Sequence, residues 1–547
     1  MLAALLHLSA CGDGSASMDA AVESGQPDAT VDAVRVDAMP ADARPPADAA
    51  LDVLADAPAD GPPGASSLAR DWPAVAEQAQ RELDAANATC VSIAVLDEGR
   101  VRYLGSAGTA PSLAGEPNED TVFMVGSDTK KMAAVLLLQH VDDGAITLET
   151  TVREALPELV LPRAASYLDA TMRDLLSHQG GILDVAGDLT TTTSDAFLRD
   201  YAFGGFGARA YSMNPPGLFF NYANPNFSFA GLVSERLSEE PWADLVEGRL
   251  FEPLAMTRSV ARRASVDANH ASGNGFADLE SAIAPVPLER TWENAFTRPS
   301  GLVWSTPSDQ MRLARFLIEG DADVLSDELR TAMVTGRGAL SPDSDADRYA
   351  FGLFVSNRLR MQGDEYELEV WSHGGNTFTH SSLFLVIPSA GFAVSILSNG
   401  AFDDFSATAR AVIRAFVELP APTTPSTPTL DADVIASLAG SYDDPNNVGE
   451  VRVSVEDGAL RLSMPTLDRL AIPYEPQATA RSSRVWDAVI QGAPLDLRFI
   501  DVDGATYLVN RAFVAVRRNS IRARRATPVR DEVRLPTFRD SEHPVEL

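Results

Sequence analysis

Lysine is almost missing from this 547-residue chain. Of its 44 basic residues only Lys130 and Lys131 are lysine, which leaves 44 − 2 = 42 arginines. Cysteine is as scarce, with Cys11 and Cys90 the two present. No run approaches the ~20 uninterrupted apolar residues that a membrane-spanning helix needs, so none is expected. Positive charge is outweighed: 77 acidic residues against 44 basic give a net charge of −33. That balance argues against a nucleic-acid partner, which requires clustered Lys and Arg. It points to solubility rather than to a specific partner. Internal repeats are also missing. The length exceeds one ordinary core, so two or three domains are expected, and a 45% hydrophobic content supports a globular body.

The first residues, 1–11, end in Leu8-Ser9-Ala10-Cys11 and resemble a lipoprotein signal in which Cys11 is acylated. They depart from that pattern by lacking Lys or Arg before a short apolar run. The expectation is a lipid anchor at Cys11, a membrane partner through that anchor, and a place in the cell envelope as a periplasmic or outer-membrane lipoprotein. With Cys11 so used, Cys90 is left in an apolar strand and reads as core filler, without a disulfide. Residues 12–70 are Ala, Asp, Pro, Gly and Ser with few large apolar side chains. Such a segment cannot offset its ordering entropy and reads as a disordered, self-repelling tether.

From 71 to 418 the chain reads as one catalytic-size body. Trp72–Ala86 is an amphipathic helix, and the runs Val91–Leu96 and Val101–Gly105 flank a turn at Asp97–Arg100, giving a hairpin. A mostly helical stretch follows, from about Ala145 to Ala295. Four strand-like runs come after it: Tyr349–Ser356, Tyr366–Ser372, Ser382–Ile387 and Phe392–Leu397. A helix over Phe405–Val417 closes the body. A sheet assembled from both ends with a helical insertion is the natural reading. Residues 419–430 form a stiff Pro/Thr linker. Short alternating strands over 431–520, with turns such as Glu456-Asp457-Gly458, predict a small antiparallel barrel or sandwich. An Arg-containing tail, 521–547, ends the chain.

The body is organised around Val125-Gly126-Ser127-Asp128-Thr129-Lys130-Lys131 and the apolar run Met132–Leu138. Strong helix formers without Gly or Pro predict a buried helix starting near Ser127. Residues three apart share a helix face, so the Lys130 amine falls one turn from the Ser127 hydroxyl. Serine is a weak nucleophile until a base takes its proton. Lysine can be that base and arginine cannot, which gives the near-absence of lysine elsewhere its meaning. A second constellation, Asn221-Tyr222-Ala223-Asn224, offers a phenol to relay protons and an amide to bind a substrate carbonyl. A third, Trp371-Ser372-His373-Gly374-Gly375-Asn376, ends a strand. Its paired glycines permit close backbone approach, its free edge N–H groups can hold an oxyanion, and His373 titrates near neutral pH.

In this order and spacing the three sets resemble the penicillin-recognising serine hydrolases: serine β-lactamases, D-Ala-D-Ala carboxypeptidases and their esterase relatives. Asp120–Phe123, Leu175–Gly181, Phe251–Met256 and Ser300–Ser305 add to the likeness. The resemblance implies an α/β fold: a β-lactamase/transpeptidase-like body, antiparallel sheet flanked by helices plus a helical subdomain, followed by the small all-β, barrel-like domain and preceded by the tether. It implies Ser127 as the acylated nucleophile, Lys130 as its base and Tyr222 as proton relay to the leaving group. It further implies Asn224 as orienter of the substrate amide, and the N–H groups of Ser127 and Asn376 as an oxyanion hole beside Gly375. His373 stands where many lactamases have a carboxylate-binding lysine. That exchange favours a D-Ala-type peptidase or esterase over a strong β-lactamase, while Tyr-x-Asn in place of Ser-x-Asn favours the branch that contains class C lactamases, some peptidases and esterases. His178 is expected to be a structural hydrogen-bonder. The substrate would be a small molecule or peptide, with no metal or other cofactor. The alternative from a different class is a catalytically silent cell-envelope lipoprotein that captures peptides or a protein partner.

Overall fold

The computed structural model describes residues 72–160, 166–184, 191–278, 281–424 and 430–518. The signal-like segment with Cys11, the tether, the tail 521–547 and part of the 419–430 linker lie outside the described residues.

The body is built on one antiparallel sheet of eight strands. In spatial order they are Arg100–Gly108, Cys90–Asp97, Phe392–Ser398, Ser381–Ile387, Val370–Asn376, Phe354–Ser356, Ser344–Tyr349 and Gly338–Ser341. Both ends of the body therefore supply strands to one sheet, and the intervening 123–334 stretch is mostly helical, as the sequence pattern implied. The central strands are buried on both faces, so their period-two alternation sorts apolar side chains between two cores. Cys90, Ala94 and Leu96 join the core on the helical-insertion side, while Val91, Ile93 and Val95 join the opposite one. The latter is roofed by the Trp72–Ala85 and Ser406–Phe416 helices. Cys90 is a fully buried free thiol.

On the other face lies the Lys130–Asp142 helix, buried from Lys130 to His140. Its Met132–Leu138 run is apolar on all sides and has to be enclosed, and it is.

Two of the expected strands are each broken in two. Tyr349–Ser356 is interrupted at Ala350–Leu353, where Gly352 takes φ +78°. A Cβ there would lie 2.8 Å from the Lys130 carbonyl oxygen. The turn thus lets the backbone touch the start of the Lys130–Asp142 helix, which a continuous strand could not do. Tyr366–Ser372 separates into Asp364–Tyr366, paired with Leu359–Met361, and Val370–Asn376 in the main sheet. The intervening Glu367 and Glu369 do not fit a pleat buried on both faces, and Glu369 accepts instead from the Trp371 indole at 2.8 Å.

The C-terminal sheet is a second set of eight antiparallel strands, from Gly440–Asp444 to Phe513–Arg517. It nearly closes into a barrel: the Ala459–Ser463 strand exchanges backbone hydrogen bonds with Pro476 and Ala478, just before the last strand in spatial order. The barrel docks on the Tyr211–Tyr222 segment of the body. Met213 and Phe219 pack with Tyr507, Val509 and Val514, and the Phe219 and Tyr507 rings lie 5.3 Å apart. The buried Arg498 guanidinium donates to the carbonyl of Phe220 at 3.2 Å.

Candidate active site

The turn that carries Ser127 is clamped on two sides. Phe123–Met124 pairs with Trp304–Ser305. Opposite, the Val370–Asn376 strand leaves its neighbour Phe354–Ser356 after Ser372, and its free edge runs beside residues 125–127. Gly126 has φ +57°, and a Cβ on it would sit 2.8 Å from the Asn376 nitrogen. A Cβ on Gly375 would lie 1.9 Å from the Val125 carbonyl oxygen. Both glycines are therefore required by contact distance, and together they bring the Asn376 backbone nitrogen against Gly126, the residue before Ser127. Ser382 Oγ donates to that same Val125 oxygen at 2.7 Å and fixes the approach. The helix begins as a tight 3₁₀ turn over Gly126–Thr129 and becomes α-helical at Lys130.

Lys130 Nζ is fully buried and lies 2.9 Å from Ser127 Oγ, 2.8 Å from Asn224 Oδ1 and 2.7 Å from the Ser300 carbonyl oxygen. This set suits both protonation states. An ammonium donates to all three oxygens. A free amine donates its two hydrogens to Asn224 and Ser300, which cannot donate back through those atoms, and turns its lone pair to the Ser127 hydroxyl. Asn224 opens the Asn224–Ser238 helix with Pro225 behind it, and its own N–H donates to Asp184 Oδ1 at 3.0 Å. Its amide oxygen is thus held on Lys130.

Tyr222 is 3% exposed, and its ring centroid is 4.8 Å from Lys130 Nζ. His178 stacks on it with ring centroids 4.0 Å apart. The His178 Nδ1 accepts from the Ala223 N–H at 3.2 Å. Burial, followed by the charges of Lys130, His373 and Arg511, holds this imidazole well below its usual range, so it is neutral. His178 is the structural hydrogen-bonder that its sequence context implied. His373 is also buried: its Nε2 lies 3.1 Å from Tyr349 Oη, its Nδ1 2.6 Å from the Gly374 carbonyl, and its ring 6.4 Å from that of Tyr222. The Asn376 side chain accepts from Ser381 Oγ at 2.9 Å, leaving its backbone as the group beside Ser127. Ser127, Lys130 and Asn224 are therefore in direct contact, Tyr222 and His373 line one side, and Gly375 and Asn376 contribute backbone. Cys11 lies outside the described residues. Among the described residues no three His, Cys, Asp or Glu side chains converge into a metal-binding group.

Sequence reasoning missed four groups. Lys131 points away from the cleft and forms a fully buried ion pair with Asp128 while its Nζ sits 3.9 Å from the Phe384 ring centre. Ser300 contributes its carbonyl. Asp184 ties down Asn224. Arg511 enters from the C-terminal barrel, pairing through Nε with Asp184 Oδ2 and placing its guanidinium carbon 4.7 Å from the Tyr222 ring centre. Ser300 was within reach, since Ser300–Ser305 stood out in the sequence. Lys131 was conspicuous as one of two lysines, though its ion pair was not, and no local pattern marks Asp184 or Arg511.

The profile of the Beta-lactamase family matches residues 75–418. Penicillin-binding protein 4 of Amycolatopsis lactamdurans is 27% identical over 367 residues, covering 64% of this chain and 92% of that protein. Among solved structures, SurE is similar in fold over 83% of this chain and 100% of its own, with a TM-score of 0.60 and 21% identity. The D-amino acid amidase of Ochrobactrum anthropi SV3, complexed with D-phenylalanine, overlaps 64% of this chain and 98% of its own, with a TM-score of 0.51 and 20% identity. At such identities these two likenesses concern the fold, and that with SurE extends beyond the 75–418 stretch. With the family profile covering well over half of its length, this chain belongs to the Beta-lactamase family of serine hydrolases.

Proposed function

We propose that this protein cleaves an amide or ester through an acyl-enzyme on Ser127, acting as a D-Ala-type peptidase or esterase rather than a strong β-lactamase. The observation that carries the reading is the Lys130 amine, 2.9 Å from the Ser127 hydroxyl with two further acceptors fixed around it. Lys130 takes the Oγ proton as Oγ bonds to the substrate carbonyl carbon. The oxyanion so formed is held by the N–H groups of Ser127 and Asn376. Its collapse breaks the bond to the leaving amine or alkoxide, which recovers the proton through Lys130 and Tyr222. Water then attacks the Ser127 ester with the same groups as base, releasing the acid.

His373 supports the choice of substrate class. The strand position that would present a lysine ammonium to a lactam carboxylate carries a buried imidazole bonded to Tyr349. Fold neighbours are solved with amino acids, SurE with D-Leu and the amidase with D- and with L-phenylalanine, which supports an amino-acid or peptide substrate. The lipobox-like Leu8–Cys11 supports an envelope-anchored form, and loss of detergent-phase partitioning in Cys11→Ala is its test.

The test of the activity is Ser127→Ala with p-nitrophenyl esters and D-alanyl peptides, read beside intact-protein mass spectrometry after a fluorophosphonate. The expected result is an adduct on Ser127 and a loss of several orders of magnitude in rate on substitution. Hydrolysis unchanged in Ser127→Ala overturns the assignment of Ser127 as nucleophile, and no adduct under any condition leaves a silent binder.

A further inference from the structure

We propose that the C-terminal barrel is part of the catalytic centre, with Arg511 at the tip of one hairpin acting as the positioning residue for Tyr222 and Asn224. The inference rests on the serine-hydrolase reading above and goes beyond it, since the resemblance gives this domain no chemistry.

Arg511 and Ala512 form the two-residue turn between the Ala505–Asn510 and Phe513–Arg517 strands, where Asn510 faces Phe513 across the ladder. An arginine at a hairpin tip is ordinarily solvated. Here the residue is 9% exposed because the tip is pressed onto the segment preceding Asn224. Two contacts give it purpose. First, the Asp184 carboxylate is shared: one oxygen takes Arg511 Nε and the other accepts the Asn224 N–H at 3.0 Å. Asp184 is 6% exposed on its side chain, so without Arg511 its charge would be buried and uncompensated. It would then be displaced toward water, loosening the helix start that aims Asn224 at Lys130. Second, the flat guanidinium roofs the Tyr222 ring at 4.7 Å, while neutral His178 lies against that ring at 4.0 Å. A planar fork stacked on an aromatic face restricts tilt as well as distance.

The charged and titratable groups around Tyr222 are Lys130, Arg511 and, through it, Asp184, with His178, His373 and Tyr349 completing the surround. When the phenol passes a proton, negative charge grows on a group whose ring centre lies 4.8 Å from Lys130 Nζ and 4.7 Å from the Arg511 guanidinium carbon, two basic side chains from different domains. Preorganised charge at such a place stabilises the transition state without reorganisation. Arg511 is not needed to seat the barrel. Arg498 on the Phe220 carbonyl, Tyr507 on Phe219, and the Tyr211 hydroxyl, which donates to Asn447 at 2.5 Å, already do so.

The experiment compares full-length wild type, Arg511→Ala, Arg511→Lys, Asp184→Asn and the Arg511→Ala/Asp184→Asn double variant, using a p-nitrophenyl ester and a fluorophosphonate. Arg511→Ala is expected to lower kcat by about 10- to 100-fold, since a misplacement of about 1 Å at a reacting group can cost about 100-fold, while KM moves by less than about threefold. Arg511→Lys restores part of the loss, keeping the charge without the fork. The double variant is no slower than the slower single one, because both substitutions break one unit. An unchanged kcat overturns the proposal, as does a loss confined to KM, which would make Arg511 a substrate contact. A loss in Arg511→Ala that Arg511→Lys does not relieve, accompanied by an earlier thermal transition in both, overturns it in favour of a structural role. Fluorophosphonate labelling separates this inference from the reading beneath it. No adduct in wild type removes both, whereas equal labelling rates in wild type and Arg511→Ala remove this one alone.

Discussion

Lys131→Met should unfold the body far more easily than any surface change, even though the side chain it removes takes no part in the chemistry. Lys131 and Asp128 are both fully buried, one turn apart, with Nζ against the carboxylate and donating to the Asp128 carbonyl oxygen at 3.0 Å. Burial pulls the Lys131 amine down to about 8 against the attraction of Asp128, and pushes the Asp128 carboxyl up against the attraction of Lys131. Each charge is tolerated because the other is there. Removing the cation leaves a buried carboxylate, which costs about 3–5 kcal/mol. Loss of the amine from the Phe384 face adds up to about 2 kcal/mol if that contact is fully desolvated. With a urea slope of about 3 kcal/mol/M for a domain of this size, the midpoint should fall by at least about 1 M. The assay is urea unfolding followed by circular dichroism, with Asp128→Asn/Lys131→Met measured beside the single variant. The double variant carries no buried charge and should regain more than half of the loss, since exchanging a whole buried pair is far cheaper than halving one. A single variant with an unmoved midpoint, or a double variant worse than the single, would refute the reasoning.

Gly375→Ala should reduce kcat by about 100-fold, because its Cβ would enter the Val125 carbonyl and push the Val370–Asn376 strand off the Ser127 turn, overpacking at a cost of about 1–3 kcal/mol or more. Ester turnover and a thermal melt check it, and full activity would mean that the strand and turn are not held together as described. Glu235 tests electrostatics away from the site. Burial, assisted by Asp195, raises its carboxyl from 4.5 to about 7, against the Trp242 N–H that it accepts at 2.8 Å. The folded state thus holds this proton more tightly than the unfolded chain, so the contribution is full below about pH 4.5 and is lost as pH rises through about 7. Stability should accordingly fall less from pH 5 to 8 in Glu235→Gln than in wild type. The difference is at most about 3 kcal/mol for such a shift, and nearer 1–2 because the side chain is only partly enclosed. Parallel pH slopes in urea melts of the two proteins would contradict it.

How much of this was readable beforehand depended on range. The Trp72–Ala85 helix, the first hairpin and the Lys130–Asp142 helix follow from local periodicity, although the second hairpin strand runs on to Gly108 and the α-helix expected near Ser127 begins at Lys130 after a 3₁₀ turn. The Ser127/Lys130 contact follows from helix geometry alone, since i and i+3 face one another. The breaks at Ala350–Leu353 and Glu367–Glu369 did not, because a continuous apolar run looks the same whether it crosses one sheet or bends between two neighbours. Gly352 was the available clue, but its reason, contact with the Lys130 carbonyl, lies some 220 positions earlier in the chain. Arg511 and Asp184 were invisible for the same cause: 327 residues separate them, and nothing local distinguishes Arg511 from the other 41 arginines. Residues that carry chemistry announce themselves by type and spacing. Those that orient them are chosen by tertiary contact.

The two lysines show what that distinction means physically. They are adjacent, equally buried and on the same helix turn, yet one is suited to act as a base and the other is not. Three neutral oxygens lie within 2.9 Å of Lys130 Nζ, and a neutral amine satisfies them as well as an ammonium does, so surrendering a proton breaks nothing. Lys131 is held by a carboxylate, and deprotonating it would strand a buried anion. Successive helical residues point about 100° apart, so one helix start can present a reactive amine to the cleft and a locked amine to the core. Exchanging the environments should exchange the roles. Asn224→Asp would place a carboxylate 2.8 Å from Lys130 Nζ, favour the ammonium, and carry the alkaline shift into the pH dependence of kcat/KM. An acidic limb that stays where it is in Asn224→Asp, with turnover preserved, would mean that the free amine of Lys130 is not the base.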